Sequence, residues 1–252
     1  MGQYAFFFDQ SRCYGCQTCA VTCKDWNFLE PGPEKWMSIY DFEEGHFPQP
    51  RLNILAYSCG HCDQPTCLTA CPNEAIFKET EYGAVLVDQD KCEGCRSCYN
   101  ACPYGVPAYK NDEPGTKMSK CTMCIDKLVV GDAPACVTSC PLRALDFGPV
   151  EEMEAKYGKL RQLKGMPDPA ITKPNYIVKP KEEKVPLIPY NVAKAIELQG
   201  PRGEFKDNPV VADTADIQNY DRATISPRRA ESFKMKFASS AERLAATKND
   251  IG

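Results

Sequence analysis

"DQDKCEGCRSCYNACPYG", residues 88–105, packs Cys92, Cys95, Cys98 and Cys102 into eleven positions and follows the last with Pro103. "DQSRCYGCQTCAVTCKD", residues 9–25, reads almost as a copy, with Cys13, Cys16, Cys19 and Cys23 at the same intervals. Two looser runs complete the set. Cys59, Cys62, Cys67 and Cys71 have two extra residues before the third cysteine, and Cys121, Cys124, Cys136 and Cys140 have nine. These four runs contain all sixteen cysteines of the 252-residue protein. Three of them end in Cys-Pro; the first ends in Cys23-Lys24.

Disulfides do not suit this pattern. They staple small secreted proteins that lack a core, and this one is long enough to build a core. Cysteines separated by two residues would also form strained bridges. Zinc knuckles use C-x-x-C pairs, but they have no need of a third and fourth cysteine in immediate succession before proline. Iron–sulfur chemistry does explain the spacing. In the bacterial run C-x₂-C-x₂-C-x₃-C-P, three close thiolates hold one cluster and the fourth ligates another. The short loop also turns backbone N–H groups toward an anionic group.

The flanks repeat as well. "FFFDQSRC" before run one matches "VLVDQDKC" before run three, and "QPTCLTACP" in run two matches "APACVTSCP" in run four. Such self-similarity marks a duplicated architecture. Between Cys71 and Cys92 lies "PNEAIFKETEYGAVLVDQDK", which reads as strand, Tyr-Gly turn and strand, the hairpin of a two-cluster ferredoxin. Runs two and three therefore pair, with "LNILAY" and "VPAYK" expected as outer strands. By elimination runs one and four pair, opened by "YAFFFD" and closed by "ALDFG".

The expected fold is α+β, with two nested ferredoxin-like units of two cubane clusters each. Residues 1–58 and 106–150 make the outer unit, 59–105 the inner one, and 151–252 a Pro-rich, partly helical extension. Crossed ligation then assigns every thiol, giving four [4Fe-4S] clusters. Cys13, Cys16 and Cys19 take Cys140; Cys121, Cys124 and Cys136 take Cys23; Cys59, Cys62 and Cys67 take Cys102; Cys92, Cys95 and Cys98 take Cys71.

Other residues add less. His61, in "CGHC", is expected as a loop residue beside a cluster, and His46 as a solvated residue. Lys24, Arg96 and Lys120 each adjoin a ligand cysteine, where a cation can raise a cluster's potential. No phosphate loop and no Ser/His/Asp set is present, so the protein is not expected to catalyse anything alone. A net charge of −4 gives no argument for nucleic acid, and no apolar run is long enough to span a bilayer. No export signal is read at the start. In the extension, 150–163 is expected as a helix, the six prolines of 167–190 as an extended path. Residues 231–246 are expected as a helix with Phe233, Phe237, Ala241 and Leu244 on one face. That helix would pack on the protein's own core or, with the strap, dock on a partner.

Together the four runs and "CPLRALDFGPVEEMEAKYGKL…TKPNYIVKP" resemble the iron–sulfur subunit of dimethyl sulfoxide reductase-type molybdenum oxidoreductases over about residues 1–180. The resemblance implies an electron-transfer subunit in anaerobic respiration. It would work between a membrane subunit handling quinol and a catalytic subunit holding a molybdenum bis-pterin cofactor. It would be peripheral to the cytoplasmic membrane, on the cytoplasmic face or exported with a partner. Nitrate reductase relatives carry Trp where this protein has Cys95, so four cubanes are implied here. Formate dehydrogenase relatives often add a C-terminal membrane helix, which "AERLAATKNDIG" does not match. The alternative is a ferredoxin-like subunit of a hydrogenase or formate dehydrogenase complex.

Overall fold

The computed structural model describes residues 2–44, 51–182 and 234–247. Its central element is β1 (Tyr4–Asp9), an apolar strand buried on both faces because it lies in the middle of a three-stranded sheet. Side chains alternate across a strand. Phe6 and Phe8 therefore face the main core, while Ala5 and Phe7 pack with Met153 and Ile177 on the other side. Each buried phenylalanine contributes roughly 1.5–3 kcal/mol by leaving water. One partner of β1 is the antiparallel strand β6 (Leu145–Pro149), in the register Phe6↔Phe147, as expected from the outer flanks.

The other partner was not expected. Strand β7 (Tyr176–Lys179) runs parallel to β1, although it falls within the stretch read as an extension beginning at residue 151. Its four residues between Pro174 and Pro180 are too short to announce a strand, and the free edge of β1 recruits them. The expected helix is α6 (Val150–Tyr157), ended by Gly158. It covers the second face of the sheet, with Tyr157 stacked on Phe7 at 3.6 Å between ring centroids.

The expected hairpin between runs two and three is present as β4 (Ile76–Lys78) and β5 (Val85–Val87). Its proposed outer strands do not flank it. "LNILAY" lies in β3 (Arg51–Tyr57), which pairs antiparallel with β2 (Ser38–Glu44), a strand the sequence reading missed. Of "VPAYK", only Ala108 makes a bridge, to Ser119. A partner close in sequence costs less conformational entropy than one beyond run three, and "SIYDFEE" supplies it.

The C-terminal helix α7 (Ser240–Thr247) begins later than expected. Ser239 Oγ accepts the Glu242 N–H at 3.1 Å, and the Glu242 carboxylate accepts the Ala238 N–H at 2.8 Å. That is a Ser-x-x-Glu start signal that hydrophobic periodicity overlooked. Phe237 therefore precedes the helix and is buried beside Tyr40, while Phe233 and His46 lie outside the described residues. Arg243 is buried and donates to Pro107 O, Lys35 O and Ser38 Oγ. Residues 234–247 thus pack on this protein's own core. Among the described residues no helix is long and apolar enough to cross a membrane.

Candidate cluster-binding sites

Runs one and three have the same local build. The glycine between their first two cysteines is left-handed (Gly15 φ 78, Gly94 φ 72), as is the residue after the second (Gln17 φ 66, Arg96 φ 63). Helices α1 (Thr18–Trp26) and α3 (Ser97–Ala101) begin straight afterward. Thr18 and Ser97 set their hydroxyls 3.3 and 3.5 Å from the second thiols, Cys16 and Cys95. Runs two and four share a different build. Their first thiols, Cys59 and Cys121, accept the N–H two residues on, from His61 and Met123. Their last, Cys71 and Cys140, accept the N–H four residues on, from Ala75 at 3.3 Å and Ala144 at 3.2 Å. The third cysteines sit in α2 (Thr66–Thr69) and, beyond α4 (Ile125–Leu128), in α5 (Ala135–Thr138).

The fold gathers two sets of these thiols in cavities. Cys13, Cys16, Cys19 and Cys140 line one cavity, walled by Phe8, Ile39 and Leu145. Cys71, Cys92, Cys95 and Cys98 line another. The remaining thiols lie near enough to raise one another. Burial, then the thiols of Cys121 and Cys124, push the Cys23 thiol far up, and burial with Cys23, Cys121 and Cys124 does the same to Cys136. Burial and then Cys59, opposed in part by Thr172 and joined by Cys102, raise Cys62 to about 12. Cys67 is raised by burial, with Cys59, Cys102 and Cys62 adding to it.

Such thiols fit an iron–sulfur group. Their thiolates repel one another in a buried setting, so they need cationic iron in their midst. Tetrahedral zinc would instead draw four sulfurs to about 2.3 Å from a single centre. Among the described residues no Cys, His, Asp or Glu group converges in the manner required for a single ion. The backbone N–H groups aimed at sulfur, including Met118 N–H on Cys92, are the contacts an anionic cluster uses.

His61 is not held as a ligand. Fully buried, it accepts the Val85 N–H on Nδ1 at 2.9 Å, and burial, Lys120 and Lys78 keep it neutral. Residues 172–175 were missed by the sequence reading. They dock on the run-two loop through Asp63 N–H to Lys173 O, Gln64 N–H to Thr172 O and Asn175 N–H to Gly60 O. Thr172 sits 3.3 Å from Cys62 Sγ. The described part of the proline-rich strap therefore clamps a loop of the same molecule. The contacts reveal it, including Asn175 Nδ2 donating to His61 O and Asp63 Oδ1; nothing in "TKPN" announces the role.

Four-cysteine loops built on left-handed turns, with N–H groups on sulfur, define a [4Fe-4S] electron-transfer protein. Residues 50–150 match the 4Fe-4S dicluster domain family. The sequence is 46% identical over 193 residues to YnfG, the probable anaerobic dimethyl sulfoxide reductase subunit of Escherichia coli, covering 73% of this protein and 92% of that one. It is 44% identical over 192 residues to the B subunit of anaerobic dimethyl sulfoxide reductase from Escherichia coli, with the same coverage. The B subunit from Haemophilus influenzae is 42% identical over 192 residues, covering 72% of this protein and 91% of that one. The protein belongs to this family of dimethyl sulfoxide reductase B subunits. It is an iron–sulfur electron-transfer subunit of an oxidoreductase and does not catalyse on its own.

Proposed function

We propose that the sixteen cysteines hold four [4Fe-4S] clusters in the crossed pattern read from the sequence. Sites one and four belong to an outer unit and sites two and three to an inner unit nested within it. The observation that carries this reading is the company each fourth cysteine keeps: Cys140 lies in the run-one cavity and Cys71 in the run-three cavity. Each cluster, when bound, takes up and gives back one electron.

What the protein contributes is spacing and insulation. Cys19 lies close enough to raise both Cys23 and Cys136, and Cys59 close enough to raise Cys121. Helices α2 and α3, carrying thiols of runs two and three, pack on each other. These neighbours support the order one, four, two, three along the molecule. Apolar walls of Phe6, Phe8, Tyr57, Tyr104 and Tyr176 exclude water from between the sites. In the complex, we assign the run-one end to a molybdenum bis-pterin catalytic subunit, and the run-three end to a membrane subunit handling quinol. The protein itself would be peripheral to the cytoplasmic membrane.

The test is metal content and one substitution. Protein purified without oxygen should hold about sixteen irons and sixteen sulfides. Cys71→Ser should damage the site of Cys92, Cys95 and Cys98 and spare that of Cys59, Cys62 and Cys67. Stoichiometric zinc would sink the reading, and loss of the run-two cluster instead would sink the crossed pairing.

A further inference from the structure

Five cations adjoin ligand cysteines, and their surroundings separate them. Arg12 and Lys91 are exposed and face Asp9 and Asp88 at 3.8 and 3.9 Å. Arg96 is paired with Asp112 at 2.8 Å on a part-exposed surface, where the carboxylate and solvent offset its charge. Lys24 donates to Glu30 O and Gly32 O at the edge of the molecule. Lys120 is 2% exposed. It donates to Cys121 O at 2.9 Å and to Val85 O, and no carboxylate pairs with it among the described residues. A buried ammonium held by carbonyls alone carries a desolvation cost of several kcal/mol. Some negative group must offset it.

The neighbours of Lys120 identify that group. One acceptor belongs to Cys121, a thiol of run four, and the other to Val85, which is hydrogen-bonded to His61 in the run-two loop. Lys78, the other cation near His61, is paired with Asp63 at 3.1 Å. Val85 ties the arrangement together: its N–H is held by His61 Nδ1 and its carbonyl by Lys120. Four thiolates around an iron–sulfide core leave a net negative charge, which grows on reduction.

Resting on the cluster assignment above, we propose that Lys120 is a positioning charge shared by two cluster sites. Its ammonium lies between the set Cys59, Cys62, Cys67, Cys102 and the set Cys121, Cys124, Cys136, Cys23, and favours the one-electron reduced form of both. The electron arrives from a neighbouring cluster and no proton moves with it. Lys120 thereby makes the two middle sites better electron acceptors than their cysteines alone would.

The test is a redox titration, followed by electron paramagnetic resonance, on the complex purified anaerobically. Lys120→Gln keeps an N–H donor for the two carbonyls and removes the charge; Lys120→Arg keeps the charge. With Gln, two of the four clusters should become about tenfold harder to reduce, a shift of about 59 mV for one electron. The other two should shift less, and Arg should leave all four near their original potentials. Failure of Gln to assemble iron while Arg assembles it also supports a need for charge. No shift with Gln, an equal shift in all four clusters, equal shifts with Gln and Arg, or failure of both variants to assemble would each overturn the proposal. Fewer than four clusters in the unaltered protein would overturn the assignment beneath it instead.

Discussion

Gly15 and Gly94 hold the same place in runs one and three, and replacing each with alanine should have unequal consequences. Both are left-handed, with φ of 78 and 72, so alanine costs about 1–2 kcal/mol at either position from backbone sterics alone. The difference lies in what the new methyl meets. At Gly15 it comes 3.0 Å from Ile54 Cδ1, the free end of a side chain that can turn aside. At Gly94 it runs into the Thr116 carbonyl oxygen, with Gly115 C at 2.7 Å and Thr116 C at 2.8 Å, all of them backbone. Overlap with atoms that cannot rotate away adds about 1–3 kcal/mol. The displaced segment leads directly to Met118, whose N–H caps Cys92 Sγ at 3.4 Å, so the damage is delivered to the run-three site.

Gly94→Ala should therefore lose the run-three cluster selectively, about a quarter of the bound iron, while Gly15→Ala retains nearly all of it. The assay is iron and sulfide per protein molecule after purification without oxygen, with electron paramagnetic resonance to name the missing cluster. Equal iron loss in the two variants would refute the steric reasoning. So would loss of a run-one signal in Gly94→Ala.

Two further substitutions probe other parts of the molecule. Cys95→Ser, at the most exposed ligand position of run three, should leave a three-iron cluster of higher potential; quinol-driven turnover of the complex should then fall while turnover with a dye that reduces the catalytic subunit survives, and parallel loss of both would contradict the assignment of run three to the quinol side. Arg243→Met should strip the buried Pro107 and Lys35 carbonyls of their donor and destabilise the protein by about 1–3 kcal/mol; an unchanged thermal melting temperature would show that α7 contributes nothing to the fold.

The cluster loops were legible because their information is local. A thiol spacing of two, two and three residues defines a turn, and the left-handed positions and helix starts follow within the same dozen residues. The repeat carried this further: Glu74 and Arg143, each three residues beyond the last cysteine of its run, share φ of 50 and 51 without sharing chemistry. Sheet partners were less legible, because β1 is apolar on both faces and its sequence does not say which strand fills its second edge. Strand β7 and the 172–175 clamp come from the stretch expected as an extended path over 167–190. Of its described residues, Pro169–Ile171 form a short 3-10 helix and Tyr176–Lys179 are extended; residues 183–190 lie outside the described residues. The prolines do not signal what the stretch lies on. Lys120 is the sharpest case. In sequence it is one of five cations beside a cysteine, and each has the same claim on a cluster. Charge acts through distance and dielectric, and neither is written in residue order. Asp112, sixteen residues after Arg96, pairs with one candidate, and two carbonyls at the surface hold another. Only the packing of Lys120 between β5 and run four leaves a buried positive charge for the thiolates to answer, and so the electrostatic role of this residue had to come from the fold.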